Sequence, residues 1–249
     1  MPRRARRDDP AEIKRRATIL GIMTAVWPIV VTIIWGDWNA RPELSVFAWF
    51  GVKIDINTLL GTLGAVLTAV MLFLGPLSQL AIRFSNGFPD FKLNILSVRA
   101  YILAPIYEEV LFRGCVTTVL LSSGWTPGWT ILWSSFVFGF SHIHHIRDPE
   151  IPPAATIAQV CYCTLFSLYT NDLFVSTSSL YGCILAHAFW NFMGLPDFSF
   201  FILGNPDYKY KWGILLFYIT GIFGFFVSLP ILNDPVLHNS LHYFLHKNL

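Results

Sequence analysis

Two adjacent glutamates, Glu108 and Glu109, lie with Arg113 inside the long apolar stretch 94–122. A charged side chain in the middle of a membrane helix costs about 2.5–3.5 kcal/mol on insertion scales. Three such groups so close together therefore indicate a functional centre. Glu109 and Arg113 are four residues apart, so a helix brings them to one face, where they can form an ion pair.

Glu108 has no such partner on its own helix. It is turned by about 100° from Glu109 around the helix axis, and the residue four positions further on is the apolar Phe112. A carboxylate in apolar surroundings without a cation is expected to have a raised pKa, which suits a general acid or base. We therefore predict a chemical role for Glu108, and a structural ion pair for Glu109 and Arg113.

Polar residues recur at helical spacing in two later apolar segments. Phe138, His142 and His145 follow one another at intervals of four and three residues, and His187 and Asn191 are four apart. Each set shares one side of its helix. Singly, such residues often do no more than hydrogen-bond a neighbouring helix. Together with Glu108 they supply the groups for hydrolysis: a carboxylate and an imidazole to activate water, and an imidazole and an amide to stabilise an oxyanion.

Water is the favoured nucleophile, because no Ser or Cys stands out with a basic partner at helical spacing. The main chemical alternative is a zinc-dependent version of the same hydrolysis, in which a Glu and two His from separate helices hold the metal. The His-Glu-x-x-His signature of many zinc proteases is absent from the sequence. We therefore predict no bound metal or other cofactor and keep the zinc site as an alternative.

The composition is that of a polytopic membrane protein. Of the 249 residues, 54% are hydrophobic and 13% are charged, which is far from the usage of soluble domains. The net charge of +2 gives no electrostatic basis for binding nucleic acid. All four cysteines fall in apolar segments, and we predict that they are small buried hydrophobic residues.

We predict an all-α membrane bundle of about seven transmembrane helices. A basic segment, 1–16, is expected in the cytosol by the positive-inside rule; a single membrane domain, 17–235, follows, and 236–249 forms a short interfacial tail. Gly75-Pro76 is expected to break the second span, and Asn171-Asp172 to separate the fifth from the sixth. The apolar segments behind this prediction are 17–35, 58–82, 94–122, 129–145, 154–170, 173–193 and 212–232.

Three ordered sequences resemble the motifs of a known enzyme family. Glu-Glu-Val-Leu-Phe-Arg (108–113), Phe-Gly-Phe-Ser-His (138–142) and His-Ala-Phe-Trp-Asn (187–191) are similar to the Glu-Glu-x-x-x-Arg, Phe-x-x-x-His and His-x-x-x-Asn motifs of the type II CAAX prenyl endopeptidases, within the wider ABI membrane protease family. The resemblance extends from about Asp8 to Asp234. It implies a multi-pass enzyme of the endoplasmic reticulum membrane that removes the last three residues, aaX, from prenylated CAAX proteins.

The resemblance also implies roles for individual residues. By motif position, Glu108 and His142 would activate the water, and His187 and Asn191 would form the oxyanion site. The implied partners are membrane lipid and farnesylated or geranylgeranylated CAAX proteins such as Ras-type small GTPases. The residues implied to support the site are Glu109, Arg113, His145 and Phe138.

Two other functions stay open on the sequence. One is a non-catalytic membrane scaffold of the same family. The other is a small transporter whose intramembrane acids carry protons, although the sequence shows no related halves with broken helices.

Overall fold

The structure is a computed structural model that describes residues 9–35, 45–85, 93–148 and 151–247. Within these ranges every regular element is helical, which confirms the all-α prediction. Short 3₁₀ turns cover Ser141–Arg147, Ser199–Phe201 and Pro206–Tyr210. The helices are α1 Pro10–Trp35, α2 Val46–Trp49, α3 Ile56–Leu72, α4 Leu74–Ser85, α5 at residues 95–122, α6 Pro127–Phe140, α7 Pro153–Thr177, α8 Leu180–Met193, α9 Lys211–Leu232 and α10 Leu241–Lys247.

Two continuous helices of the described chain are long and apolar enough to cross a membrane, Pro10–Ile34 and Pro206–Leu232, and the bent pair α3–α4 is a third if it counts as one span. These helices support a membrane protein. Two of the other predicted spans are shorter: α6 and α8 have 14 residues each, or about 21 Å at 1.5 Å per residue, against about 30 Å of hydrocarbon. Helix α7 has 25 residues but is not among the helices that are both long and apolar enough to cross a membrane. The count of about seven spans and the division into domains therefore stay predictions.

The N-terminal helix begins earlier than the apolar segment that predicted it. It starts at Pro10, and Glu12 forms ion pairs with Arg15 and Arg16 at 2.8 and 2.6 Å. These side chains lie about one helical turn apart. The part of the basic segment from Pro10 to Arg16 therefore forms the polar first turns of α1. Residues 1–8 lie outside the described part of the chain.

The second predicted span is bent by 73° between α3 and α4. The bend lies at Phe73, close to the predicted break at Gly75-Pro76. Pro76 sits in the first turn of α4, where its missing N–H is not needed. A side chain at Gly75 would meet the ring of Tyr218 on α9 at 2.3–2.5 Å, so glycine is required for this close approach. The bent pair thus packs along α9.

Helix α5, which carries the Glu-Glu sequence, is continuous but not uniformly α-helical. Two π-helical segments, Arg99–Leu103 and Val110–Thr117, flank the α-helical turn Ala104–Glu109. A π segment inserts an extra residue into the helical turn and is frequent at functional sites. The start of the helix is held by a capping box of Asn94 and Ser97, as expected for a helix N-terminus.

Helix α7 corrects the predicted break at Asn171-Asp172. It runs without interruption from Pro153 to Thr177 and ends at Ser178, whose φ of 52° is left-handed. Asn and Asp disrupt helices when their side chains compete for the backbone, but the Asn171 amide is buried and occupied by side chains of α5, α6 and α7. The sixth helix consequently begins at Leu180 rather than at Leu173.

A close contact between α6 and α7 places the middle histidine motif. A Cβ atom on Gly139 would lie 1.9 Å from Thr164 Oγ1 and 2.8 Å from the Val160 carbonyl oxygen. Gly139 therefore lets the two helices approach closely. His142 comes three residues later, in the 3₁₀ turn that follows α6. Beneath the site, a core of apolar residues from α3, α7 and α8 includes Phe166 and Trp190.

The cysteine prediction is right for two residues and wrong for one. Cys115 and Cys183 are buried, Cys163 is half-buried, and Cys161 is exposed on the surface of the protein. In a membrane protein such a surface position can face lipid tails instead of protein, so an apolar segment does not by itself predict burial among other side chains.

Two histidines pack the C-terminal tail against the rest of the protein, and its position at the membrane interface stays a prediction. His238 and His242 are both buried. His242 Nε2 donates to the Trp49 carbonyl oxygen at 2.8 Å, Nδ1 accepts from the Ser178 hydroxyl at 2.8 Å, and the ring lies 4.4 Å from that of Phe174. The tail thereby ties α2 to the end of α7. The side chain of His246 lies outside the described residues.

Acid is expected to release this tail. Burial lowers the pKa of His242 from 6.5 to about 4, so the folded state favours the neutral ring. Docking is fully favourable above pH 6.5 and weakens by up to about 3 kcal/mol as the pH falls toward 4. Hydrogen exchange of residues 241–247, compared at pH 7 and pH 4.5, measures this loss. The exposed His144 provides the control: His144→Gln should leave the pH dependence intact, whereas His242→Gln should abolish it. Equal protection at both pH values in the unaltered protein would contradict the prediction.

Candidate active site

One cavity of about 530 Å³ brings together residues from all three motifs. Glu108 from α5, Phe138 and His142 from α6 and the turn after it, and His187 and Asn191 from α8 all line it. Glu108 and Asn191 are 83 positions apart in the sequence. Only the packing of the helices therefore brings these residues together. The remaining lining residues are Ala155, Ala158, Gln159, Tyr162, Cys163, Phe166, Trp190, Gly194 and Leu195.

The two glutamates have different surroundings. The side chain of Glu108 is 34% exposed and faces the cavity, whereas that of Glu109 is fully buried. Glu109 pairs with Arg113, at 3.2 Å from Oε1 to Nη1 and 3.1 Å from Oε2 to Nε, as the four-residue spacing predicts. The same Oε1 accepts a hydrogen bond from His187 Nδ1 at 2.6 Å. Glu109 therefore joins α5 to α8 behind the cavity wall.

Arg113 is a completely buried cation. Besides Glu109, it donates from Nη2 to the Thr170 hydroxyl and, at 2.9 Å, to the Ser167 hydroxyl. Its Cζ atom lies 4.7 Å from the centre of the Phe138 ring, within the range of a cation–π interaction. The guanidinium is thus held on several sides, and Phe138 contributes both to the cavity wall and to this contact.

The hydrogen bond to Glu109 determines which nitrogen of His187 faces the cavity. A carboxylate only accepts hydrogen bonds, so Nδ1 carries the proton and Nε2 points the other way, 3.9 Å from Glu108 Oε2. In the neutral ring Nε2 is an acceptor, and only in the imidazolium is it a donor. A water molecule about 2.8 Å from each atom can contact Glu108 and His187 together across this separation.

His142 is oriented by its own helix. Its Nδ1 lies 3.1 Å from the Phe138 carbonyl oxygen and 3.2 Å from the Ser141 hydroxyl. Because the carbonyl can only accept, Nδ1 is the donor, and the neutral ring carries its lone pair on Nε2. This tautomer suits a general base whose second nitrogen is available to the cavity.

Asn191 is positioned from α5. Its Nδ2 donates to the Ala100 carbonyl oxygen at 3.0 Å, and Ala100 lies in the first π-helical segment. Since an amide nitrogen has two donors, one N–H of Asn191 is used for this contact and the second is available for a ligand. The altered turn of α5 thus helps to place a side chain of α8.

His145 is placed differently from the other predicted residues. It is buried, its ring lies 4.2 Å from that of His144 and 6.5 Å from that of His142, and it is not among the residues that line the cavity. The 3₁₀ turn has about three residues per turn, so His142 and His145 still share a side. His145 therefore lies beside His142 but outside the cavity lining, and its supporting role stays a prediction.

Helix α7 contributes residues that were not predicted to belong to the site. Gln159, Tyr162, Cys163 and Phe166 line the cavity, and Ser167 binds Arg113. The signal in the sequence was the spacing of Ser167, Thr170 and Asn171, which places three polar side chains on one face of an apolar helix.

A smaller groove of about 140 Å³ lies on the other side of Glu108, between α1 and α5. Glu108 lines both the groove and the cavity. Most of the groove's other side chains are apolar, so an apolar space and a more polar one meet at this carboxylate. The other residues lining the groove are Leu20, Met23, Thr24, Trp27, Ala104, Tyr107, Val110 and Leu111.

The arrangement of acids and histidines bears on the zinc alternative. Within the described residues, no three His, Cys, Asp or Glu side chains group as a metal site requires. Glu109 and Nδ1 of His187 are hydrogen-bonded to each other, so neither is available to bind a metal ion. The atoms at the cavity that could still do so belong to Glu108, His142 and Nε2 of His187.

The chain is similar in sequence to CAAX proteases from several eukaryotes. A sequence model of the family "Type II CAAX prenyl endopeptidase Rce1-like" matches residues 90–193, which include α5 to α8. The "Probable CAAX prenyl protease 2" of Schizosaccharomyces pombe is 32% identical over 86% of this chain and 81% of its own length. The "CAAX prenyl protease 2" of Caenorhabditis elegans is 34% identical over 88% and 84%, and that of Homo sapiens 29% identical over 94% and 76%.

No solved structure matches the chain at a significant level. The relatives, by contrast, match over most of their own length and of this chain, at identities that reach 34%. The match with the family falls on the helices that build the cavity. This chain therefore belongs to the family of type II CAAX prenyl endopeptidases, Rce1-like, and is a membrane protease.

Proposed function

We propose that this protease removes the C-terminal aaX tripeptide from prenylated CAAX proteins, with a water molecule activated by Glu108 and His142. The observation that supports this most is the convergence of Glu108, His142, His187 and Asn191 on one cavity. Behind that cavity, Glu109 and Arg113 form a buried pair that holds His187. The substrate follows from the family and from the names of the relatives.

In the proposed reaction, the water oxygen attacks the carbonyl carbon of the prenylated cysteine while Glu108 accepts a water proton. His187 Nε2 lies 3.9 Å from Glu108 Oε2, so both groups can contact the same water. His142, with its lone pair on Nε2, assists in removing the proton. Glu108 then gives this proton to the leaving amine as the tetrahedral intermediate collapses and the C–N bond breaks. The products are a prenylcysteine carboxylate and the free tripeptide.

The oxyanion of the tetrahedral intermediate would be stabilised by His187 and Asn191. His187 donates from Nε2 only as the imidazolium, whose charge is opposed by Glu109 at 2.6 Å. Asn191 offers the N–H that does not bind Ala100. Donors held in place before reaction act most strongly in a site from which water is excluded.

The membrane setting agrees with a lipid-modified substrate. The apolar face of α1 is exposed, with Ile22 60% and Ile33 76% accessible, which is typical of a helix in contact with lipid. A prenyl chain can therefore remain in hydrocarbon while its cysteine reaches the cavity. We place the enzyme as a multi-pass protein in the endoplasmic reticulum membrane, with Ras-type small GTPases among its substrates.

We further propose that the α1–α5 groove receives the prenyl chain. The thioether of the substrate lies only a few bonds from the scissile carbonyl, so the lipid must begin next to Glu108. Glu108 borders this apolar groove as well as the larger cavity. The tripeptide would then extend into the cavity, on the side where His142 and Asn191 lie.

Filling the groove should change the preference for the prenyl chain. Thr24→Phe places an aromatic ring in the groove, and we expect KM to rise about tenfold for a geranylgeranylated peptide but less for a farnesylated one. A tenfold change corresponds to one or two methylene groups that are no longer buried. Ile22→Phe, on the same helix but outside the groove, should leave both KM values unchanged. If Thr24→Phe raised neither KM value, the prenyl chain would have to bind elsewhere.

The function is tested with the full chain in membranes or detergent and a farnesylated CAAX peptide, with and without a chelator. Release of the aaX tripeptide at equal rates in both conditions supports the water mechanism without metal. Release that stops with chelator and returns with zinc would support the metal-dependent alternative. If no tripeptide is released by a folded protein, the chain acts as a scaffold of this family.

A further inference from the structure

A cluster of uncharged polar side chains lies in the core between α5, α6 and α7, apart from the cavity. All of its members are completely buried, at 0% exposure. Buried polar groups are costly unless they are hydrogen-bonded, so this placement in an otherwise apolar bundle calls for a reason. The cluster, named the Asn171 cluster below, consists of Thr117, Ser134, Ser135, Ser167 and Asn171.

Asn171 is the centre of the cluster and uses its full hydrogen-bonding capacity. Its Oδ1 accepts from Thr117 at 2.7 Å and from Ser134 at 3.0 Å. Its Nδ2 donates to Ser135 at 2.8 Å and to Ser167 at 3.1 Å. A side-chain amide has two donors and two acceptor positions, so every one is occupied and the amide has a single orientation. Residues of α5, α6 and α7 are joined at this point.

The cluster continues into the active site through Ser167. The Ser167 oxygen accepts from Asn171 and also from Nη2 of Arg113, at 2.9 Å. Arg113 in turn pairs with Glu109, and Glu109 binds Nδ1 of His187 at 2.6 Å. An unbroken series of contacts therefore leads from Asn171 to the ring whose Nε2 faces the cavity.

We propose that Asn171 is a positioning residue for the reaction: through Ser167 it orients the Arg113 guanidinium, and so the Glu109–His187 pair. This inference rests on the proposed function, because it assigns a role within that same site. The physical reason is that the Ser167 hydroxyl can rotate. With Asn171 bonded to it, the lone pair that faces Arg113 is held in place, and the guanidinium is fixed relative to Glu109.

A merely structural role would predict lower stability alone, and the variants are chosen to separate the two. Ser167→Ala removes the link to Arg113 and leaves the other three bonds of Asn171 in place. We expect kcat to fall about tenfold or more with KM within twofold, which is the result for a group that acts only in the transition state. Ser167→Thr, which keeps the hydroxyl, should recover most of the rate. Asn171→Leu should lower kcat similarly, and the double variant should be no slower than either single one, since both act through the same contact.

The matched control removes another fully buried hydroxyl. Thr68 on α3 is 0% exposed and bonds the Tyr169 hydroxyl at 2.7 Å and the carbonyl oxygens of its own helix. None of these hydrogen bonds involves Arg113, Ser167 or Asn171. Thr68→Val should lower the melting temperature without changing kcat. The assay on the unaltered enzyme comes first: if it releases no tripeptide, the proposed function fails, whereas active enzyme with folded Ser167→Ala at unchanged kcat overturns the role of Asn171 alone. Additive losses in the double variant would overturn it as well.

Discussion

Glu108→Gln is expected to lower kcat for a farnesylated CAAX peptide by about 10²–10⁴-fold, the range attributed to a positioned general base. The amide has nearly the same shape as the carboxylate but cannot accept a proton from water. Because the Glu108 side chain is 34% exposed and faces the cavity, the substitution leaves no buried partner without a bond. Folding and KM should therefore change little, and the loss should be confined to kcat. Tripeptide release, followed together with thermal unfolding in detergent, measures both quantities.

Two controls make this result specific. Glu12→Gln changes a glutamate that is paired with Arg15 and Arg16 outside the cavity, and it should leave activity unchanged. Glu108→Asp keeps the charge but withdraws it by one methylene, so it should retain more activity than Glu108→Gln. A Glu108→Gln enzyme with wild-type kcat would exclude Glu108 as the proton acceptor, and the water would then have to be activated by His142 or His187.

Arg113→Met should destabilise the protein more than any other single change considered. Glu109 is fully buried and Arg113 is its only cationic partner among the described residues apart from His187. Removing one member of a buried ion pair costs about 3–5 kcal/mol, because the other charge is left uncompensated. The Ser167 and Thr170 hydroxyls also lose their donor. We expect a much lower melting temperature in detergent and no detectable tripeptide release.

The same change can be separated from a general loss of fold. Glu109→Gln combined with Arg113→Met removes the charge along with its partner, so stability should recover in part while activity stays low. Arg83→Gln is the surface comparison, since Arg83 is 54% exposed and pairs with Asp197 at 3.1 Å; exposed pairs contribute about 0–1 kcal/mol. Equal stability of Arg113→Met and Arg83→Gln would mean that the buried pair does not hold α5 in place.

Much of the candidate site can be predicted from local spacing. The four-residue interval of Glu109 and Arg113 requires only a helix to become an ion pair, and the structure contains that pair. The same reasoning distinguished Glu108 from Glu109 and placed His187 and Asn191 on one side of α8. The all-helical class followed from composition and apolar length, because a membrane requires backbone hydrogen bonds to be satisfied within each segment. The roles of these side chains in the reaction stay predictions.

The sequence by itself thus determined which side chains share a face of one helix, because that depends only on helical geometry. Which faces meet was decided by the tertiary structure: the cavity, the bond from His187 to Glu109 and the burial of His242 all join residues distant in the chain. Asn171 is the clearest case. Its intrinsic preference favours a break, yet four hydrogen-bond partners from three helices satisfy its amide and let α7 continue. Local propensity is a weak energy, and packing against partners that only the folded chain supplies overrides it.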